Sequence, residues 1–206
     1  KRQKFSNFID LGCLPSLTEY FAKKFNCEGI GVNISKKVIR NLREKSGRVK
    51  YIVGDVEQLN FKKKFDLVIC GELIEHILNV DDFIKKIRNM MHKKSFLLLT
   101  TPNLASFLNR IFLLLGWQPR GINPSRKVLL NPLTRYDYNW GHVSMFTYYA
   151  LKKFLIVYGF KILKVEGIFG GHEGEHKLIR FMRFMLSVIP NFAENVIVLA
   201  KISGRV

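Results

Sequence analysis

The chain contains few cysteines and no long apolar run, and each shortage restricts the kind of protein that it can be. Its 206 residues include 3 cysteines, and no two of them form a CxxC pair. An odd, unpaired set of thiols favours reduced, buried cysteines, as in a cytoplasmic protein. The longest apolar stretches, such as residues 111–115, are far too short to span a bilayer. Because the first residues also contain no apolar signal region, we expect a cytoplasmic, globular protein.

Acidic residues are scarce as well. Asp and Glu number 16 against 34 Lys and Arg, which gives a formal net charge of +18. The excess comes from dispersed pairs and triplets of lysine rather than from one tail. Such a field attracts polyanions, namely nucleic acid, anionic lipid and phosphorylated substrates. The alternative is a lysine-rich solvated surface without a polyanionic partner, and composition leaves both interpretations open.

Hydrophobic residues make up 48% of the chain, which is enough for one sizeable core. Apolar runs typical of buried strands alternate with segments of helical spacing. The expected strands are 5–11, 29–34, 49–53, 65–70, 95–101, 160–168 and 195–202, and the expected helices are 16–25, 35–45, 81–91, 104–115 and 147–158. This alternation predicts an α/β fold with a mostly parallel sheet and right-handed crossovers.

The most informative segment is 8–25, which predicts a buried strand, a tight turn at Gly12 and a helix that begins near Pro15. A turn that brings a helix N-terminus to the carboxyl edge of a strand is a common binding place for nucleotide-like ligands. Leu14 and Ser16 stand where such loops usually have further glycines. The Leu14 side chain would either crowd a ligand or point back into the core.

Several short motifs follow the predicted strands in a fixed order. They are Asp10-Leu-Gly12-Cys13, Gly31-Val-Asn33-Ile-Ser35, Gly54-Asp55-Val56, the segment 65–77 with Glu72, Glu75 and His76, the segment 97–103, and Gly141-His142 before Thr147. In this order and spacing the chain resembles the class I S-adenosylmethionine-dependent methyltransferases, of the type 11/12 kind. The resemblance implies a Rossmann-like seven-stranded sheet with helices on both faces and an antiparallel last strand. It also implies a single domain over 1–206, with an irregular acceptor-side insert around 104–145.

The resemblance implies S-adenosylmethionine as the cofactor and assigns the residues that would bind it. These are Asp10, Gly12, Cys13, Asn33, Ile34, Asp55, Val56 and Gly71. Gly12 would let the backbone approach the amino-acid end of the cofactor, and Asp55 would contact the adenine amino group. Asn33 replaces the usual acidic residue at the ribose hydroxyls, and we expect this change to weaken binding about tenfold.

The E-x-x-E-H segment resembles the metal site of ubiquinone-pathway and small-RNA 2′-O-methyltransferases. If the segment were helical, Glu72, Glu75 and His76 would share one face, and His142 would approach from the opposite side. The resemblance then implies that these four residues hold a divalent metal ion. In the alternative interpretation no metal is bound, the Glu–His pair caps the helix, and His76 or His142 is the general base. His142 could also be a histidine satisfied by the backbone in a turn.

The expected function is O-methylation of a small-molecule, sugar or lipid-linked acceptor. Aromatic and polar residues at 135–140 suit a ring or sugar, and a basic amphipathic helix at 177–189 suits contact with an anionic membrane surface. Each segment also has a structural interpretation, as an anchored loop and as core or dimer packing. Two alternatives stay open, namely an RNA methyltransferase that uses the basic surface to bind nucleic acid, and a degenerate scaffold that binds no cofactor.

Overall fold

Strands and helices alternate along the computed structural model, which describes residues 4–43, 47–125, 127–128, 130–131, 141–169, 185 and 189–203. The strands are β1 (Asn7–Leu11), β2 (Glu28–Asn33), β3 (Val49–Val53), β4 (Phe65–Gly71), β5 (Met91–Pro102), β6 (Phe160–Ile168) and β7 (Asn195–Ile202). The helices described are α1 (Pro15–Phe25), α2 (Lys36–Arg43), α3 (Val80–Asn89), α4 (Phe107–Leu114) and α5 (Tyr148–Val157). A short 3₁₀ turn spans Ile74–His76.

The seven strands form one sheet in the order β3-β2-β1-β4-β5-β7-β6. Strands β1 to β5 pair in parallel, whereas β7 is antiparallel to both of its neighbours, β5 and β6. The predicted Rossmann-like sheet with an antiparallel last strand is therefore confirmed. The strand order reverses between β1 and β4, and in open α/β sheets ligands bind outside the carboxyl ends of the strands at such a reversal.

Buried side chains cover both faces of the sheet. Along β4, Val68 and Cys70 belong to one apolar cluster, whereas Leu67 and Ile69 belong to a second. The split arises because successive side chains of a strand point to opposite faces. Helices α3 and α5 contribute to the first cluster, and α1 and α2 contribute to the second. All three cysteines are free and buried, as the sequence predicts.

Side-chain caps fix the beginnings of three helices. The Ser35 hydroxyl accepts a hydrogen bond from the backbone N–H of Val38 (3.3 Å) at the start of α2. Asn79 accepts a hydrogen bond from the backbone N–H of Asp82 at the start of α3, and Thr147 accepts one from Ala150 at the start of α5. Helix α1 differs, because it begins at Pro15 and no described side chain caps it. Its first turn therefore presents backbone N–H groups that a ligand or water can satisfy.

The predicted strands at 49–53, 160–168 and 195–202 agree with the observed bounds. The helix predicted at 104–115 is shorter, since α4 begins only at Phe107. The Asn103 side chain accepts a hydrogen bond from the Ala105 N–H (3.1 Å), and residues 104 and 105 form a turn. After α4, the predicted insert contains no further helix or strand in the described residues up to 125.

Two predicted segments, the loop at 135–140 and nearly all of the helix at 177–189, lie outside the described residues. The assignment of 1–206 to one domain stays a prediction. Among the helices that the structure describes, none combines the length and apolarity that crossing a bilayer would need.

Candidate active site

A cleft lies at the carboxyl ends of the first four strands, where the strand order reverses. We call it the sheet-edge cleft; its volume is about 440 Å³, a size typical of small-molecule sites. It is lined by Gly12, Asn33, Ile34, Gly54, Asp55, Val56, Glu57, Glu72, Leu73, His76 and Ile77. The structure thus brings together Gly12, Asn33, Ile34, Asp55 and Val56 of the residues predicted to bind a cofactor.

Gly12 forms part of the cleft wall, and its conformation suits only glycine. Its φ is +75°, in the left-handed region that side chains other than glycine rarely adopt. A Cβ at this position would also lie 3.1 Å from Leu73 Cδ1, which lines the same cleft. Because glycine has no side chain, the turn after β1 can lie close to the segment after β4.

Leu14, which the sequence placed where it could crowd a ligand, does not line the cleft. Its side chain is 57% exposed. Its carbonyl accepts a hydrogen bond from the Thr18 hydroxyl (3.0 Å) inside the first turn of α1. The departure from a glycine-rich loop therefore leaves the volume of the sheet-edge cleft open.

Asp10, Cys13 and Gly71, which are also predicted to contact a cofactor, are not among the residues that line the cleft. Asp10 is buried and accepts a hydrogen bond from the Thr18 hydroxyl. Desolvation raises the pKa of Asp10 to about 7 and that of the buried Cys13 thiol to about 12. The side chains of Asp10 and Cys13 thus support the turn from behind, because both are turned into the interior.

Asn33 holds two loops of the cleft together. Its Nδ2 donates to the carbonyl of Cys13 (3.0 Å), in the turn after β1. Its Oδ1 accepts from the backbone N–H of Ser35 (2.8 Å), at the start of α2. The backbone carbonyl of Asn33 accepts from Gly54 (3.0 Å), after β3. The amide predicted to meet ribose hydroxyls is therefore already engaged with backbone, and it ties the ends of β1, β2 and β3 together.

The far end of the cleft combines apolar and acidic groups. Ile34 is 72% exposed, and with Val56 it presents an apolar surface that suits a flat ring. Asp55 Oδ1 accepts a hydrogen bond from the backbone N–H of Glu57 (2.9 Å), which anchors this carboxylate at the rim.

The segment from Glu72 to His76 is not helical throughout, so the condition under which its three candidate ligands would share one face is not met. Only Ile74–His76 form a 3₁₀ turn, and Glu72 precedes it with a φ of +46°. The backbone N–H of Glu72 donates to the Thr100 carbonyl (3.0 Å), which fixes this unusual conformation beside β5. As a result, Glu75 is fully buried, whereas Glu72 and His76 are exposed in the cleft.

A loop after the insert is fastened to this 3₁₀ turn. The backbone N–H groups of Val143 and Ser144 both donate to the carbonyl of Glu75 (2.8 and 2.9 Å). The Ser144 hydroxyl donates to the carbonyl of Ile77 (2.7 Å). These bonds bring His142 next to His76, with the ring centroids 4.6 Å apart. The sequence predicts that His142 approaches from the opposite side of the pocket, and these hydrogen bonds to the backbone explain how it is held there.

Both histidines are oriented by backbone carbonyls. Nδ1 of His76 lies 3.2 Å from the Gly141 carbonyl oxygen, and Nδ1 of His142 lies 3.0 Å from that of Gly121. In the tautomer that donates from Nδ1, the Nε2 of each ring is the nitrogen that can accept a proton or bind a metal. One ligand atom each from Glu75, His76 and His142 lies within 4.8 Å of the others.

The predicted fourth ligand, Glu72, lies outside this group of three among the described residues. Of the three residues in this group, Glu75 has a carboxylate oxygen that still lacks a hydrogen-bond partner among the described residues. Its Oε2 accepts a hydrogen bond from the Thr101 hydroxyl (3.0 Å), but its Oε1 is buried and has no partner among the residues described. Burial, and secondarily the charge of Glu72, raise the pKa of Glu75 to about 7. An unpaired buried carboxylate oxygen is unfavourable unless it binds a proton or a cation.

Sequence reasoning missed Thr101, Gly121 and Gly141 as partners of these side chains. Thr101 carries a usable signal, because it is a polar residue that follows the apolar run 96–99 near the carboxyl end of a predicted strand. Gly121 and Gly141 act through their carbonyls, which leave no mark in side-chain patterns. Their roles follow only from the positions of the loops.

Comparison with known proteins identifies related sequences. Residues 9–99 match a family model described as a methyltransferase domain. The chain is 28% identical over 137 residues to a ubiquinone biosynthesis O-methyltransferase of Pelagibacter ubique, a match that covers 62% of this chain and 57% of that protein. For the enzyme of the same name from Rickettsia conorii, the identity is 28% over 138 residues, covering 63% and 47%. The chain thus spans about half the length of the curated relatives it matches.

Solved structures share the fold. A SAM-dependent methyltransferase from Archaeoglobus fulgidus has a TM-score of 0.61 at 18% identity, covering 95% of this chain and 86% of that one. Magnesium protoporphyrin IX methyltransferase from Synechocystis, solved with bound S-adenosylhomocysteine, also has a TM-score of 0.61, at 19% identity, and the match covers 95% and 74%. At such identities the likeness establishes the fold.

Proposed function

We propose that this chain is a class I S-adenosylmethionine-dependent methyltransferase, and that it transfers the methyl group of S-adenosylmethionine to a hydroxyl oxygen of a small-molecule acceptor. The observation that carries the proposal is the place of His76. This residue lines the sheet-edge cleft and also belongs to the group formed with Glu75 and His142. A methyl donor and a group able to take up a proton would therefore share one wall.

The residues of the sheet-edge cleft fit the cofactor. Gly12 leaves room that a Cβ would fill beside Leu73, and the uncapped first turn of α1 offers backbone N–H groups to a carboxylate. Ile34 and Val56 provide apolar surface for the adenine ring, and Asp55 provides a carboxylate near it. Asn33 would act mainly on the shape of the cleft, since its amide already bonds to Cys13 and Ser35.

In the proposed reaction the acceptor oxygen forms a bond to the methyl carbon while the bond from carbon to sulfur breaks. The electron pair of that bond goes to the sulfonium, which becomes the neutral thioether of S-adenosylhomocysteine. The hydroxyl proton passes to Nε2 of His76 or His142, whose Nδ1 atoms are oriented by the Gly141 and Gly121 carbonyls. Most of the rate enhancement would come from aligning the two reacting atoms.

Glu75, His76 and His142 also fit a divalent metal ion, since a carboxylate and two imidazoles are suitable ligands. The orphaned, buried Oε1 of Glu75 favours this second candidate over an uncharged hydrogen-bond network. When bound, such an ion would lower the pKa of an acceptor hydroxyl. The Nδ1 contacts to Gly141 and Gly121 would then hold the two rings in the ligating orientation.

Calorimetry and turnover test the proposal separately. We expect S-adenosylhomocysteine to bind with heat release and one-to-one stoichiometry. With S-adenosylmethionine and a catechol such as 3,4-dihydroxybenzoate, or one of a set of polyols, we expect S-adenosylhomocysteine to accumulate. Absence of binding heat at millimolar ligand would leave only the fold and support a non-catalytic scaffold. Binding without turnover of any hydroxylated acceptor would contradict the O-methyltransferase assignment alone.

A further inference from the structure

A second cavity adjoins the sheet-edge cleft, and Glu72 lines both. We call it the side cavity; its volume is about 260 Å³, and it lies beyond the carboxyl ends of β4, β5 and the start of β7. Gly121 also lines it, and the carbonyl of this glycine orients His142. The side cavity therefore meets both the wall of the sheet-edge cleft and the residue that fixes one of the two histidines.

Seven of the ten residues that line the side cavity have polar side chains, although apolar atoms form the larger share of its surface. Among the described residues that line it, only Pro102 and Leu108 contribute apolar side chains beyond glycine. Nη1 of Arg120 lies 3.7 Å from Oε1 of Glu194, which is within ion-pair distance but too long for a hydrogen bond. A guanidinium and a carboxylate thus stand together on the wall, and a ligand hydroxyl can accept from the one and donate to the other.

Ser106 adds a hydroxyl group to the wall of the side cavity. The residue is 4% exposed and lines the side cavity. Its backbone N–H and carbonyl bond to Asn103 and Arg110, but no described group is hydrogen-bonded to its hydroxyl. A hydroxyl on a cavity wall can donate to and accept from a polar ligand or water.

The walls of the side cavity are held rigidly. Asn109, which is buried, accepts a hydrogen bond from the backbone N–H of Arg120 (2.8 Å) and donates to its carbonyl (3.1 Å). The Asn103 side chain donates to the carbonyl of Ala193 (3.0 Å), and its backbone N–H donates to that of Glu194 (2.6 Å). The backbone at both charged residues is thus fixed before any ligand binds.

We propose that the side cavity binds a compact, neutral, polyhydroxylated acceptor of the sugar or cyclitol class, which Arg120, Glu194 and Ser106 recognise through its hydroxyl groups. Glu72 accepts a hydrogen bond from the hydroxyl that is presented to the sheet-edge cleft. The inference rests on the proposed function and names the acceptor class for it. Hydroxyl groups both donate and accept, so one ligand of this class can satisfy a carboxylate, a guanidinium and a serine together.

Two other acceptor classes fit the side cavity less well. A prenylated ring would desolvate Arg120 and Glu194 and leave them without hydrogen-bond partners from the ligand. A cationic amine would meet the carboxylates of Glu72 and Glu194, but also the permanent positive charge of Arg120. These classes are outcomes that the experiment separates from the proposal.

The test uses saturation-transfer NMR with myo-inositol and methyl hexopyranosides, on the full chain with S-adenosylhomocysteine bound. We expect saturation transfer to these polyols in the wild type. Arg120→Leu, which removes the guanidinium, and Ser106→Val, which fills the wall, should each weaken polyol affinity at least tenfold. Arg48→Leu is the matched control at the opposite edge of the sheet, where Arg48 is exposed and lines a different cavity, and it should change nothing.

The same four proteins are then assayed for release of S-adenosylhomocysteine with polyols, a catechol and histamine. Polyol turnover that falls in Arg120→Leu and Ser106→Val, while calorimetric affinity for S-adenosylhomocysteine stays within twofold, supports the inference. Lack of saturation transfer to every polyol by a wild type that binds S-adenosylhomocysteine would overturn it. So would turnover of catechol or histamine that is unaffected by Arg120→Leu. Failure to bind S-adenosylhomocysteine at all would overturn the proposed function itself, which is a distinguishable result.

Discussion

The Thr101 hydroxyl donates a hydrogen bond of 3.0 Å to Oε2 of Glu75, and it satisfies only that half of a fully buried carboxylate. The other oxygen has no partner among the described residues and belongs to the residue that is grouped with His76 and His142. The carboxyl group is therefore held in one orientation by β5 while its second oxygen remains able to bind a proton or a cation.

A divalent ion should stabilise the wild type through this carboxylate. We expect Mn²⁺ or Zn²⁺ at 100 times its dissociation constant to stabilise the fold by about 2.7 kcal/mol and to raise the melting temperature accordingly. Glu75→Gln should abolish this rise, because the amide is a much poorer ligand than a carboxylate. Differential scanning fluorimetry with and without a chelator provides the measurement.

Glu28→Gln is the matched control, since Glu28 is an exposed residue of β2 outside the described metal-ligand group. It should respond to metal as the wild type does. An equal rise in melting temperature for the wild type and Glu75→Gln would exclude Glu75 as a ligand. The histidines would then be left as the groups that accept the proton.

The layered fold could be predicted well from the sequence, because the apolar runs of the strands are distinct. The strands at 160–168 and 195–202 were predicted at their observed bounds. The segment 72–76 could not be predicted in the same way. Its spacing suits a helix, but hydrogen bonding of the Glu72 N–H to Thr100 on β5 forces a left-handed residue there. This is a tertiary effect that local spacing does not contain.

The candidate site was predictable in outline, since motifs at the ends of parallel strands must meet at one edge of the sheet. The hydrogen bond from the Asn33 amide to Cys13 was not predictable, because Cys13 lies 20 positions away in sequence and contributes only a backbone carbonyl. The side cavity was missed for a similar reason. Ser106, Arg120 and Glu194 come from three separate segments that no motif connects.

Asn33→Asp tests whether the amide acts on the shape of the cleft. A carboxylate at this position could still accept from the Ser35 N–H, but it could not donate to the Cys13 carbonyl and would face that oxygen with a negative charge. We expect a loss of about 1–2 kcal/mol in the free energy of unfolding, measured by urea denaturation. We also expect no gain in affinity for S-adenosylhomocysteine by calorimetry.

The control for this change is Asn60→Asp, since Asn60 is exposed in the loop after β3. The control should alter the free energy of unfolding by less than about 0.5 kcal/mol. A tenfold gain in affinity for Asn33→Asp with unchanged stability would mean that residue 33 acts on the ribose directly and that the link between loops has no energetic importance.

Gly12→Ala tests the turn after β1. The added methyl would occupy a residue with φ +75° and lie 3.1 Å from Leu73 Cδ1, so the turn must shift away from the cleft wall. We expect a loss of about 1–2 kcal/mol in stability from the left-handed conformation, and at least a tenfold loss of S-adenosylhomocysteine affinity. Gly47→Ala is the matched control, because no atom lies within 4 Å of a Cβ built there. Equal calorimetric affinities for the two variants would remove Gly12 from the binding site.

Asp10 should make the stability of the protein fall as the pH rises. Its pKa is raised from 3.8 to about 7 in the folded protein, chiefly because burial disfavours the charged carboxylate. Between these two values the folded state binds a proton that the unfolded state has released, so the free energy of unfolding decreases with increasing pH. Above about pH 7 the loss is complete, with an upper limit of about 4 kcal/mol from a shift of about three pKa units.

Asp10→Asn removes this titration while keeping an oxygen that can accept from Thr18, whose hydroxyl bonds to Asp10 in the wild type. We expect the variant and the wild type to have similar free energies of unfolding at pH 4, and the variant to be the more stable of the two at pH 8. Urea denaturation at both pH values gives the difference in free energy of unfolding between the variant and the wild type. The other titrating groups are the same in both proteins, so their contributions cancel. Since Glu28 is exposed, Glu28→Gln should follow the wild type at both pH values. A variant that is less stable than the wild type at pH 8 would mean that Asp10 is ionised in the folded protein, with the Thr18 hydrogen bond outweighing the cost of burial.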